Sequence, residues 1–305
     1  MNKQLLTVPL FIAATLTVGC SPVVQAETVI SQLRIDFEGS FEGNIWIDFN
    51  NYYESGQRYS QEGQYQRAIA DYTQAIALNP NYAEAYYNRG VAYYNLGEYE
   101  NTIADTTEAI RINPNYAEAY SKRGDAYDEL GEYQTAVVDY NRAIALDPNS
   151  AYTYNLRALA YYNQEEYQKA LVDLNKAIEL NSTYYLYYLN RGGAYHQLEE
   201  YRKAIADCNL AIELNSNDAT AYNTRGSAYY HLKEYQRAMA DYNKAIALDP
   251  NYANAYLNRG ELYIDLENKQ MALESLQKAA SLYLEQGELE NYQDILEQLQ
   301  ELLQN

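Results

Sequence analysis

The sequence predicts an all-α solenoid, a stack of helical hairpins closed by a terminal helix, and three observations carry that reading. The stretch 83–116 recurs at one fixed spacing with no insertion, giving seven units that start at Phe49, Ala83, Ala117, Ala151, Tyr185, Ala219 and Ala253 and end at Gln286. Each unit holds two runs of apolar and small residues at helical spacing, as at Ile69, Tyr72 and Ile76 in the second run of the first unit. Turn residues punctuate the runs: Gly63, Gly97 and Gly131 within units, and Pro80, Pro114, Pro148 and Pro250 after the second run, where the missing N–H stops a helix. In later units Glu165, Glu199, Lys233 and Glu267 stand where the glycines would be and are expected to carry backbone strain. One hairpin cannot bury its own apolar face, so each must lean on the next.

Taken in order, the chain begins with Lys3 and an apolar run from Leu5 to Val18 followed by small residues, the pattern of an export signal over 1–26. Two processing routes are open. Thr17-Val18-Gly19-Cys20 is similar to a bacterial lipobox, which would lipidate Cys20 and anchor the protein to a membrane. Val24-Gln25-Ala26 is similar to an ordinary signal-peptidase site, which would release a soluble protein. Either way the expected location is a bacterial periplasm or envelope. Residues 27–48 break the repeat; their alternation through Ile35, Phe37, Phe41, Ile45 and Ile47 reads either as a short hairpin or as a tether, with Trp46 packed on the first unit. The seven units occupy 49–286. In 287–305, Leu289, Tyr292, Leu296, Leu299 and Leu303 recur at three and four and predict a helix that covers the end of the stack. Cys208 stands where other units place Tyr72, Tyr140 or Tyr242, and reads as a small buried hydrophobe.

Within each unit the pattern resembles the tetratricopeptide repeat. Position 4 is Tyr throughout (Tyr52, Tyr86, Tyr120, Tyr154, Tyr188, Tyr222, Tyr256), and position 8 is Gly except at Ala158. Position 11 is Tyr, and position 20 is Ala except at Thr102. The resemblance implies a right-handed superhelix whose concave face, built by the first helices, binds proteins. It is similar to envelope adaptors of that family, some of them lipoproteins. Carried onto this sequence, the groove residues are Tyr53, Tyr87, Asn88, Tyr94, Asn155, Tyr162, Asn190, Asn223, Tyr230 and Asn258. Asparagine can donate to and accept from a peptide backbone at once, and tyrosine gives flat contact area at low entropy cost. The clamp by which co-chaperone repeats hold a C-terminal carboxylate is matched at only two of five positions among Tyr53, Gln57, Asn88, Glu118 and Lys122, so that ligand is not expected.

A second regularity concerns charge. Position 7 is Arg89, Arg123, Arg157, Arg191, Arg225 and Arg259 but Ser55 in the first unit. Position 23 is Asp71, Asp105, Asp139, Asp173, Asp207 and Asp241 but Ser275 in the last. Pairing each Asp with the Arg of the following unit leaves none over, so six ion pairs between units are expected, Asp71 with Arg89 through Asp241 with Arg259.

The formal net charge of −20 argues against nucleic acid and anionic lipid as partners, since phosphate binding needs a surplus of Lys and Arg. No phosphate loop or nucleophile motif occurs, and His196 and His231, on adjacent units, have no nearby cysteine to complete a metal site. No cofactor or metal and no catalysis are expected. The sequence therefore points to a non-enzymatic scaffold that holds an extended peptide or helix of a protein client. The alternative is a self-associating structural component, a homo-oligomer of the envelope without a separate client.

Overall fold

The computed structural model describes residues 48–304; the export signal, Cys20, Trp46 and nearly all of the 27–48 segment lie outside the described residues. Every described element is a helix, and the helices alternate with the period of the repeat. They are α1 (48–61), α2 (Tyr65–Leu78), α3 (Ala83–Asn95), α4 (Tyr99–Ile112), α5 (Ala117–Glu129), α6 (Tyr133–Leu146), α7 (Ala151–Asn163) and α8 (Tyr167–Leu180). They continue with α9 (Tyr185–Gln197), α10 (Tyr201–Leu214), α11 (Ala219–His231), α12 (Tyr235–Leu248), α13 (Ala253–Asp265), α14 (Lys269–Gln286) and α15 (Leu289–Gln304). No helix among the described residues is long and apolar enough to cross a membrane.

The described residues divide into two compact bodies, one up to Pro80 and the other from Asn81 onward. In the first, α1 and α2 form one hairpin in which Tyr72 fills the space over Gly56. In the second, each first helix packs on its own second helix, and each second helix on the first helix of the next unit. First helices of successive units also touch, from α3 with α5 through α11 with α13, whereas among the described residues second helices of neighbouring units do not pack on one another in this way. Closer spacing on one side bends a stack toward that side, so the first helices form the inner layer of this body.

Small residues set the helix spacing. Ala68, Ala136, Ala170, Ala204, Ala238 and Ala272 are completely buried. Thr102 takes the alanine position in the second unit and is equally buried, its hydroxyl satisfied by donating to the Gly90 and Glu98 carbonyls. Across from position 8 lies position 24: Gly56, Gly124 and Gly226 face Tyr72, Tyr140 and Tyr242, Gly90 faces Thr106, Gly192 faces Cys208, Gly260 faces Leu276, and Ala158 lies where the facing residue is Leu174. Cys208 is fully buried, and burial pushes its thiol up to about 12, which leaves it unreactive.

Turns follow the expected chemistry. Gly63, Gly97 and Gly131 are left-handed at φ 73°, 76° and 75°, and Glu165, Glu199, Lys233 and Glu267 are held there too, at φ 60°, 59°, 60° and 56°. Replacing Glu199 with glycine is expected to raise stability by about 0.5–1 kcal/mol, read from urea unfolding, because relief of Cβ strain outweighs the entropy glycine adds to the unfolded chain. Proline is not what ends every second helix: α8 and α10 stop at the same register with Ser182 and Ser216 in its place. The shared feature is the residue before it. Asn113, Asp147, Asn181, Asn215 and Asp249 each accept through Oδ1 from the backbone N–H two residues on, an Asx turn that ends the helix. In the last unit that residue is Tyr283, and α14 runs on to Gln286 before Gly287 turns the chain at φ 80°.

The terminal helix packs on α14 but through a rotated stripe. Ile295 and Leu299 are its buried residues, joined by Tyr292, Leu296 and Leu302 against Leu276, Ala279, Leu282 and Tyr283. Leu289 and Leu303, expected to cover the stack, are exposed. Leu289 is the first helical residue after the Gly287 turn and Leu303 lies in the last turn, so neither reaches the body of α14.

The ion pairs expected between units give way to pairs within units. Arg89, Arg123, Arg157, Arg191 and Arg225 each bind the aspartate of their own unit: Asp105, Asp139, Asp173, Asp207 and Asp241, through Nε and Nη2 at 2.6–2.8 Å. Arg89, expected to serve Asp71, is thus bound by Asp105, and Asp71 has Ser55 in the arginine position of its own unit. At the other end Arg259 meets Ser275 and not Asp241. The reach into the preceding unit is made by Nη1 to a neutral residue: Thr107, Asn141, Asn175, Asn209 and Asn243 serve Arg123, Arg157, Arg191, Arg225 and Arg259 in turn. These residues lie two beyond the aspartate, about 200° around the helix. The aspartate therefore faces its own first helix and the neutral residue faces the next unit. Each guanidinium also lies over the tyrosine one turn earlier, as Arg157 does over Tyr154 at 5.6 Å.

Candidate functional site

The inner face of the 81–305 body is a ladder of side chains on successive first helices. Asn190 donates to Asn155 at 2.8 Å and Asn258 to Asn223 at 2.9 Å. Tyr94 donates to Glu129, Tyr230 to Asp265, and Gln197 to Tyr162. Each of these bonds runs between one unit's first helix and the next, displaced by a single position along it. Asn155 and Asn223, expected to present their amides to a ligand, are instead buried between neighbouring helices with their carbonyl oxygens occupied. They tie units together. Asn190 and Asn258 are half-buried donors to those ties, and Asn88 is half-buried on α3. In the first body Tyr53 stacks on Phe49 at 5.9 Å and accepts from Gln57 within its own hairpin.

Among the openings lined by first-helix residues, one of about 470 Å³ lies between Tyr230 on α11, Glu261, Ile264 and Asp265 on α13 and the terminal helix α15, and two notches lie nearer the middle of this body. One, about 240 Å³, is lined by Leu159, Tyr162, Leu189, Asn190, Gly193, Thr220 and Thr224, all on the first helices α7, α9 and α11. Its walls are mostly apolar and its space exists because Gly193 has no side chain; a Cβ there would meet only the Tyr162 ring, at 3.9 Å. The other, about 140 Å³, lies between Tyr87 on α3, Glu118, Ser121, Lys122 and Asp125 on α5, and Tyr152 on α7. Asp125 is buried and accepts from Lys122 at 2.6 Å and from Tyr140 at 3.1 Å. Burial pushes its carboxyl above the ordinary carboxylate range, against the pull of Lys122. Of the expected groove residues, Tyr87, Tyr162 and Asn190 line these notches. Lining residues missed include Glu118, Asp125, Tyr152, Leu159 and Leu189, and the small Ser121, Gly193, Thr220 and Thr224. The sequence signal for the small ones is a small residue at a first-helix groove position, which opens space where tyrosine fills it.

His196 and His231 do come together, with ring centroids 5.2 Å apart, and His231 stacks on Tyr201 at 4.8 Å. His196 Nε2 is hydrogen-bonded to the Ser227 hydroxyl at 2.9 Å. No group of three or more metal-ligating side chains occurs among the described residues. Burial, then the neighbouring His231, lowers His196 from its ordinary 6.5 to about 4. A depressed histidine binds its proton more readily when unfolded, so its contribution to stability falls as pH drops from about 6.5 toward 4. Urea unfolding at several pH values is expected to show a shallower loss across that window for His196→Gln than for the wild type.

Comparison with known proteins gives one consistent answer. Profiles described as TPR repeat match 56–97, 124–165 and 226–266, and profiles described as tetratricopeptide repeat match 83–116, 106–138, 151–184, 185–218 and 253–286. No curated protein matches the chain. Among solved structures, a tetratricopeptide repeat protein from Parabacteroides merdae superposes with a TM-score of 0.67 at 23% identity, covering 85% of this chain and 99% of that one. PilF of Pseudomonas aeruginosa gives 0.59 at 22% identity, over 71% and 97% of the two chains. MamA gives 0.50 at 25% identity, over 56% and 93%.

Proposed function

The chain belongs to the tetratricopeptide repeat family, whose members generally serve as non-enzymatic protein–protein interaction scaffolds, and on that premise we propose that it binds an extended segment of a protein client along its inner face. The observation that carries this reading is the pair of notches on the first-helix layer. They are open and side-chain-sized, and Asn190 on the wall of one is already tied to Asn155 of the preceding unit. An extended peptide places alternate side chains toward such a surface, so an apolar side chain in the notch at Gly193 provides an anchor of the kind that dominates binding energy.

The test uses the full chain and a twelve-residue peptide selected from a displayed random library. Gly193→Trp puts a large ring at the apolar notch, from a position where a Cβ meets only the Tyr162 ring at 3.9 Å, and is expected to weaken the selected peptide at least about tenfold, a loss in the range of a single anchor residue. Val172→Trp on α8, at a residue 68% exposed, is expected to leave it unchanged. Equal affinities for both variants would place binding elsewhere. Self-association has its own support in Val138, Val172 and Leu210, exposed on the successive second helices α6, α8 and α10. Light scattering that shows a dimer broken by Val172→Asp would favour it. Export to the envelope, by either processing route, remains part of the proposal and is tested by fractionation with Cys20→Ala.

A further inference from the structure

We propose that the notch formed by Glu118, Ser121 and Asp125 seats a basic side chain, lysine or arginine, of the bound segment; this rests on the groove reading above and names the chemistry that one of its notches selects. The helix α5 carries Glu118, Asp125, Asp128 and Glu129 against a single lysine on the same face, Lys122. That lysine is already engaged, with Nζ 2.6 Å from Asp125 Oδ2 and 4.1 Å from the centre of the Tyr94 ring. Glu118 and Asp147 stand at the rim, and Tyr87 and Tyr152 line the notch, aromatic rings of the kind a cation prefers.

A second observation is independent of charge. Ser121 lines the notch and is 8% exposed, and its Oγ is buried with no hydrogen-bond partner among the described residues. Further along α5, Asp128 Oδ1 is buried and equally unpartnered among them. Ser121 Oγ can accept as well as donate, and Asp128 Oδ1, on the same helix but outside the notch lining, only accepts; buried polar atoms without a partner are rare in folded proteins. An ammonium or guanidinium brings several N–H donors and the compensating charge together. A carboxylate brings neither, and a neutral hydroxyl brings one donor and no charge. The surrounding groups respond to the same negative field: burial, then Glu118 and Asp125, push the Tyr87 hydroxyl up to about 12, and burial followed by Asp125 does the same at Tyr152.

The experiment pans a displayed library of random twelve-residue peptides on the full chain, then titrates a fluorescein-labelled selected peptide by anisotropy. Selected peptides are expected to share a lysine or arginine, and Glu118→Lys is expected to weaken the parent peptide about tenfold or more. The same variant should leave unchanged the affinity of a peptide in which that basic residue is norleucine. Glu118 is exposed, so a circular-dichroism melt should match the wild type. Ser121→Ala is expected to weaken only the peptide with the basic residue. Selected peptides without a common basic residue, or a parent peptide indifferent to Glu118→Lys but abolished by Gly193→Trp, would overturn the assignment while leaving the groove reading intact. No selected binder, or binders indifferent to both variants, would overturn both.

Discussion

Alanine at Arg157 is expected to cost about 3 kcal/mol of stability, the low end for breaking a buried ion pair, because it leaves Asp173 as an uncompensated carboxylate. Asp173 is only 4% exposed at its side chain and Arg157 17%, so water rescues neither fully. The guanidinium donates to both carboxylate oxygens at 2.7 and 2.6 Å and to Asn141 of the preceding unit at 2.5 Å, and lies over Tyr154. Lysine cannot reproduce that fork, and Arg157→Lys should recover less than half of the loss. A double-mutant cycle read from urea unfolding separates this arrangement from the one expected from sequence spacing. Coupling of Arg157 with Asp173 should be about 2 kcal/mol or more, and coupling of Arg157 with Asp139 within about 0.5 kcal/mol of zero. The reverse order would show that the arginines clasp neighbouring units through charge.

The second large effect is steric. A Cβ at Gly124 would lie 2.6 Å from Cε1 and 2.9 Å from Cδ1 of Tyr140. That tyrosine is 1% exposed and its hydroxyl is held by Asp125, so the ring has nowhere to swing. Gly124→Ala is therefore expected to destabilise by about 2–3 kcal/mol, the range for overpacking a filled core. The chain itself contains the remedy. The unit in which position 8 is alanine, at Ala158, has Leu174 in place of tyrosine, both buried. Adding Tyr140→Leu to Gly124→Ala should thus give a double mutant more stable than the sum of the single losses predicts, by about 1–2 kcal/mol. Gly193→Ala serves as the contrast: with open space around it, removing a helical glycine should be neutral or stabilising by up to about 1 kcal/mol.

Much of this molecule is legible in its sequence because the repeat is read many times over. The helix boundaries other than the end of α14, the left-handed turns at Gly97 or Glu199, and the burial of Ala68 and its equivalents follow from phase alone. What phase cannot tell is direction. An arginine and an aspartate that each recur once per unit are compatible with pairing forward or backward. Only the turn of roughly 200° around one helix between Asp139 and Asn141 decides it. Which residues lie on the inner layer was legible, but not which of them leave open space. Residue type favoured tyrosine and asparagine, yet Asn155 and Asn223 are consumed by neighbours, and the open space belongs to Gly193 and Ser121. At the terminal helix the stripe through Ile295 replaced one through Leu289 and Leu303, since two registers of leucine fit the same spacing and only contact with α14 selects between them.

The measurement that bears most directly on the proposed groove is photo-crosslinking of a selected peptide carrying a benzophenone side chain at its centre, with the attachment site mapped on the full-length protein. A segment held along the inner layer predicts attachment to first-helix residues around Leu159, Gly193 and Thr220. Attachment to the outer face of the second helices, at Val138 or Val172, would contradict it.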